Sequence, residues 1–317
     1  MRSGGPPAPA GRNVTGGFYG RVVELTPVQE RAYRELIVQG AARPPPPEFA
    51  AGLRARLEEA VASIALPHPL WLSKGRLAEH AACEGLFAAA LAAERPPFEH
   101  TLATAAGTLA HRAVYLDAAS ERSLDVRTIV EGAAARLIEA DREFGAYWAV
   151  LDPLEQMEHL AAAAETLASF REAFPPFQRS WQPVGEQLLS ATIGGRLTLS
   201  GRPDLILGRY AKLLVDFKSG TARPVHAEDM RFYALLATLV FGRAPYRVAT
   251  VFLESMQWQA EDVTEDTLLH VARRTIEAAR AAAELVGASR APALTPGTHC
   301  GWCPRSHTCP ASAARAS

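Results

Sequence analysis

The stretch 201-GRPDLILGRYAKLLVDFKSG-220 decides how this chain folds. Apolar residues fill positions 205–207, 213–215 and 217, and the segment between the two runs carries Gly208, so the pattern is two short strands joined by a turn. Asp204 stands at the start of the first strand, while Asp216 and Lys218 lie two apart on the second and share one face. Pairing the strands brings Asp204 toward Asp216. Two carboxylates beside an ammonium suit a divalent-metal phosphodiesterase. Hard oxygens hold Mg²⁺ or Mn²⁺, the metal activates water and neutralises charge developing around phosphorus, and the ammonium orients water or steadies the phosphate.

Working outward, Gly194-Gly195 is a hairpin signal between strands expected at 186–193 and 196–199, so the four strands read as one antiparallel meander. A helix over 227–240, an alternating strand over 247–253 and a helix over 264–286 stopped by Gly287 follow. Before Pro175-Pro176 the apolar spacing is three and four, giving helices over 49–64, 76–93, 102–118, 126–148 and 154–170, with Ser73 as a cap for the second. The class expected is α/β, a central mixed sheet flanked by helices with a helical N-terminal half. Residues 1–16 are rich in Gly, Pro and Arg and read as disordered, 26–38 has helical periodicity, and Pro44 to Pro47 breaks the chain. The domain is therefore placed at 48–310, with 1–47 as an accessory arm and 311–317 as a tail.

Composition removes several functions. Lys and Arg total 33 against 34 Asp and Glu, and only Lys74, Lys212 and Lys218 are lysines. None follows a glycine, so no Walker A phosphate loop is present. The near-neutral balance opposes a generally basic nucleic-acid coat, which makes any DNA contact local. The arginine excess alone says nothing of nucleic acid. No apolar run is long enough to span a membrane and the Met1 end lacks a signal-peptide core, which points to a cytoplasmic protein. There, three clustered thiols, Cys300, Cys303 and Cys309, suggest metal or cluster ligation before disulfides.

Singly these features are ordinary: an ion pair on a strand, a packed histidine, a buried cysteine. Their order is not. Gly107-x-x-x-His111, Glu186, Gly201-Arg202-Pro203-Asp204, Asp216-Phe217-Lys218-Ser219-Gly220 and Asp229-Met230-Arg231-Phe232-Tyr233 follow one another along the chain. In this order the chain resembles the RecB-like branch of the PD-(D/E)XK nuclease superfamily, from about residue 72 to 310. The branch commonly shows Gln-x-x-x-Tyr on the last of these segments, where this chain keeps the tyrosine and has Asp229 in place of the glutamine.

The resemblance implies a restriction-endonuclease-like core and a metal-dependent DNA nuclease, an exonuclease on single-stranded or opened ends in repair or recombination. His111, Asp204 and Asp216 would hold the metal, helped by the carbonyl of Phe217. Lys218 would position the attacking water, Glu186 would sit beside the site and Tyr233 would contact substrate. Arg202 and Arg231 are candidates for phosphate contacts, since a guanidinium fork suits phosphate. Unwinding would need a separate helicase. Cys300-x₂-Cys303-x₅-Cys309 with Cys83 far upstream is similar to the iron–sulfur members of the branch, in which four thiolates carry a [4Fe-4S] cluster. A zinc site using His299 or His307 with the triad remains open, as does an inactive DNA-binding scaffold.

Overall fold

A computed structural model describes residues 24–40, 43–94 and 98–313. The disorder expected over 1–16 and the last residues of the tail, 314–317, lie outside the described residues. A short helix α1 (Pro27–Ala32), capped by Thr26, continues as a π-helical turn over Tyr33–Ile37. Helix α2 (Pro47–Ala62) begins at the last proline of the Pro44–Pro47 run, where a missing N–H costs nothing.

Strand β1 (Leu70–Leu72) leads into α3 (Lys74–Ala82), whose first turn is capped by the Ser73 side chain, and then into α4 (Glu84–Leu91). The single helix expected over 76–93 is thus two, broken where Cys83 takes an extended conformation between them. Four helices follow: α5 (Leu102–Ala119), α6 (Val126–Ala140), α7 (Arg142–Val150) and α8 (Pro153–Ala173). The helix expected over 126–148 is also divided. Asp141 leaves the helical region and its carboxylate accepts from Phe144 N at 2.9 Å, so a favourable N-cap restarts the chain in a new direction.

The strands are β2 (Val184–Gly185), β3 (Leu189–Ile193), β4 (Leu197–Gly201), β5 (Leu205–Leu207) and β6 (Leu213–Lys218). After them come α9 (Pro224–Phe241), β7 (Arg247–Phe252), β8 (Gln257–Asp262), α10 (Glu265–Val286) and a terminal turn α11 (Pro310–Ala313). The expected continuous meander is corrected: two sheets form, in the orders β1-β4-β3 and β2-β5-β6-β7-β8. Arg202-Pro203-Asp204 hands the chain from one to the other, and Pro203 has no N–H with which to continue a ladder. Glu186 is not part of a strand; its φ of 49° is left-handed. The second sheet is mixed, since β6 and β7 run parallel through the α9 crossover while the other pairs are antiparallel.

Alternation on β6 divides the interior into two cores. Leu214 packs with α2, α9 and α10, whereas Leu213, Val215 and Phe217 pack with α5, α6 and α8. Among the described residues, no helix is long and apolar enough to cross a membrane.

Candidate active site

The β5–β6 register places Leu205 opposite Val215, so Asp204 and Asp216 meet at one end of the pair. Phe217 N donates to Asp204 Oδ2 at 2.6 Å, which pins that carboxylate across the two strands. His111 reaches over from α5, its Nδ1 3.5 Å from Asp204 Oδ2. Two glycines make these approaches possible. A Cβ on Gly107 would lie 3.1 Å from Ser219 Oγ, and one on Gly201 would lie 2.9 Å from Tyr233 Cε1.

Asp216 is 2% exposed. Burial alone would drive its carboxyl toward the neutral acid, but the Lys74 and Lys218 ammoniums outweigh burial and hold it below the usual carboxylate range. Lys218 pairs with Asp216 Oδ2, as the strand period requires. Lys74 stands 3.2 Å from Oδ1, a neighbour 142 positions away that sequence reading did not identify. Its Nζ is also 3.6 Å from Asp229 Oδ2 and lies over the Tyr233 ring, 4.8 Å from the centroid. Burial lowers the Lys74 ammonium, but Asp216 and Asp229 overcome it and raise its pKa, whereas burial raises that of Asp229 despite the two lysines.

Other expected site residues sit differently. Tyr233 is 2% exposed and its hydroxyl donates to the Arg202 carbonyl at 2.9 Å, so it props the 201–204 loop rather than facing solvent. Arg231 is bound to Glu261 and Glu228 at 2.9 and 2.6 Å, which leaves its fork occupied. Arg202 is exposed beside Asp204. Glu186 pairs with Arg112 at 2.9 Å and its N–H donates to the Asp204 carbonyl at 3.0 Å, so it supports the site from behind. Lys212, in the turn between β5 and β6, donates to Gly208 O at 3.2 Å and is partly buried over Phe241.

His111, Asp204 and Asp216 form a donor set of imidazole and hard oxygen, which suits Mg²⁺ or Mn²⁺. Among the described residues, no three His, Cys, Asp or Glu groups converge on one point. At this site the reason is visible: Asp216 faces two lysines, and His111 and Asp204 face each other.

At the other end of the chain, Cys83, Cys300, Cys303 and Cys309 line one cavity of about 170 Å³, and all four thiols are free. Thr295 N donates to Cys83 Sγ at 3.5 Å and Gly297 N to Cys300 Sγ at 3.4 Å. His299 is buried against the same cavity with its Nε2 unpartnered.

A model of the PD-(D/E)XK nuclease superfamily matches residues 71–310. No curated protein shows a significant match. Among solved structures, one described as the crystal structure of SSO0001 aligns at 12% identity, covering 83% of this chain and 97% of that one with a TM-score of 0.31.

Proposed function

This chain belongs to the PD-(D/E)XK nuclease superfamily, and from that premise we propose that it is a metal-dependent DNA nuclease of RecB-like type, an exonuclease on single-stranded or opened ends serving repair or recombination. The observation that carries the reading is the meeting of Asp204, Asp216 and Lys218 at the end of β5 and β6, with His111 beside them. Superfamily members typically use divalent metals. Here His111, Asp204 and Asp216 would hold the ion, which supplies Lewis acidity and a water of lowered pKa when bound. Lys218 then orients the attacking water, its ammonium tethered by Asp216. Phe217 N keeps Asp204 aimed. Arg202 is free to meet the strand backbone, while Glu186 holds the loop below it. With no Walker A lysine in the chain, opening a duplex falls to a separate helicase.

For the second cofactor we propose a [4Fe-4S] cluster on Cys83, Cys300, Cys303 and Cys309, which line one cavity, although among the described residues no three such groups are gathered as a metal needs. Zinc on the triad and His299 is the rival, favoured by the unpartnered Nε2 and opposed by the lack of a convergent group among the described residues. We place the nuclease domain at 48–310, its arm before and tail after, in the cytoplasm, where thiols stay reduced.

Asp216→Ala and Lys218→Ala should each abolish Mg²⁺- or Mn²⁺-dependent cleavage of end-labelled DNA strands while the circular dichroism spectrum is retained. Wild-type protein that binds DNA but cuts no strand with either metal would show a scaffold instead.

A further inference from the structure

Lys74 is the site residue that neither motif order nor strand spacing explains. Its position is not accidental at the surface: it opens α3, Ser73 caps that helix beneath it, and the preceding Leu72 is fully buried. Thirty of the 33 basic residues are arginine, yet two of the three lysines contact the same carboxylate, Lys218 on Oδ2 and Lys74 on Oδ1. An ammonium is a compact charge that fits beside a metal ion where a planar fork does not.

We infer that Lys74 is a second catalytic ammonium, held in the site by Asp229 and binding a non-bridging oxygen of the scissile phosphate. The inference rests on the nuclease reading above. Besides Asp216, the Lys74 ammonium has Asp229 Oδ2 at 3.6 Å and the face of the Tyr233 ring, so its place in the site does not depend on Asp216 alone. Its side chain is 26% exposed, so it is not sealed from solvent as Asp216 is. Charge balance points the same way. Asp204, Asp216 and Asp229 face one divalent cation and one phosphodiester, and the set is neutral only when both lysines are counted. Negative charge then builds on the phosphoryl oxygens during attack, and a second fixed cation stabilises it.

The test is a double-mutant cycle between Lys74 and the charge on the phosphate. Wild-type protein and Lys74→Met are titrated, with Ca²⁺ to separate binding from cleavage, against a labelled strand and the same strand carrying one uncharged methylphosphonate at the linkage the wild type cuts. The wild type should lose about ten-fold or more in affinity on the methylphosphonate, the size of one charge-assisted hydrogen bond. Lys74→Met should bind the charged strand more weakly and lose clearly less than the wild type on the methylphosphonate, the remaining loss being that of the cation and the other donors. Equal losses on both strands, with the wild-type discrimination intact in the variant, would make Lys74 a structural clamp and overturn the inference. Should Lys74→Met fail to fold, Asp229→Asn releases the same lysine while leaving Asp216 paired, and it must reduce the discrimination too. A wild type that cuts no strand sinks the nuclease reading and this inference with it; a wild type that cuts, with unchanged discrimination in both variants, sinks the inference alone.

Discussion

Asp216 and Lys218 are legible at the residue scale because a strand repeats every two residues, and a buried carboxylate two positions from an ammonium must share its face. Lys74 is illegible for the opposite reason: its contact with Asp216 spans 142 positions, and nothing local in Ser73-Lys74-Gly75 signals it. Tyr233 shows a third case. Its place in the motif order is plain, but its buried hydroxyl is used on the Arg202 carbonyl, a role that only packing reveals. A titration belongs at this scale as well. His159 is buried, its Nε2 sharing a 3.0 Å hydrogen bond with the Tyr147 hydroxyl, and burial lowers its pKa against the pull of Glu155 and Glu158. The fold therefore favours the neutral ring. Its contribution to stability is complete above the ordinary histidine value of about 6.5 and is lost as pH falls below it. Urea midpoints should drop between about pH 7.5 and about pH 5.5, and His159→Gln should remove part of that drop. An unchanged pH dependence in the variant would assign the effect elsewhere.

Elements were legible where periodicity is long. Helix α10 and strand β7 lie within a residue of their expected bounds because their apolar patterns are sustained. The breaks at Cys83 and Asp141 escaped reading, since apolar spacing continues through both and the chain turns for local cap geometry and contacts farther off. Strands β1, β2 and β8 escaped as well. The first two are three and two residues long, and β8 is a largely polar strand beside β7. The segment before residue 48 was expected to be helical over 26–38, as α1 and the turn Tyr33–Ile37 are, and Arg247 on β7 explains what holds its described part. Its guanidinium donates to the Glu35, Leu36 and Val38 carbonyls and to Asp262, while the Tyr246 hydroxyl donates to Ile37 O at 2.7 Å. Arg247→Ala strands these acceptors and should cost on the order of 3 kcal/mol, as for a broken buried ion pair. Hydrogen exchange should then speed up first over Tyr33–Ile37. Uniform loss of protection throughout the chain would refute a local arm contact.

Across the whole molecule, the two cores meet at β6, and the cysteine cavity joins the Cys83 kink to the last described segment. Glu84 reinforces that junction. Its carboxylate takes Arg290 at 2.5 Å and Ala293 N at 2.7 Å, so the chain returning from α10 is laid against α4 before it reaches Cys300. A cofactor bridging Cys83 to the triad would close a very long loop, worth on the order of 5 kcal/mol in chain entropy. Anaerobically purified wild-type protein should be brown and contain iron. Cys83→Ser should be pale, melt at a lower temperature and be cleaved by protease first beyond residue 290. Colourless protein with one zinc and an unaffected Cys83→Ser variant would establish the zinc site instead.

The sequence by itself determined the α/β class, the helical front half, the order of His111, Asp204, Asp216 and Lys218, and the grouping of three cysteines. All of these are short-range patterns of period, turn and spacing. Only the tertiary structure decided that the meander divides into two sheets, that Lys74 and Asp229 complete the charge around Asp216, that Arg231 is spent on Glu228 and Glu261, and that Cys83 shares a cavity with Cys300, Cys303 and Cys309. The physical reason is the same in each case. These contacts join segments far apart in the chain, and which of them form depends on how helices pack over a sheet, information that no local pattern carries.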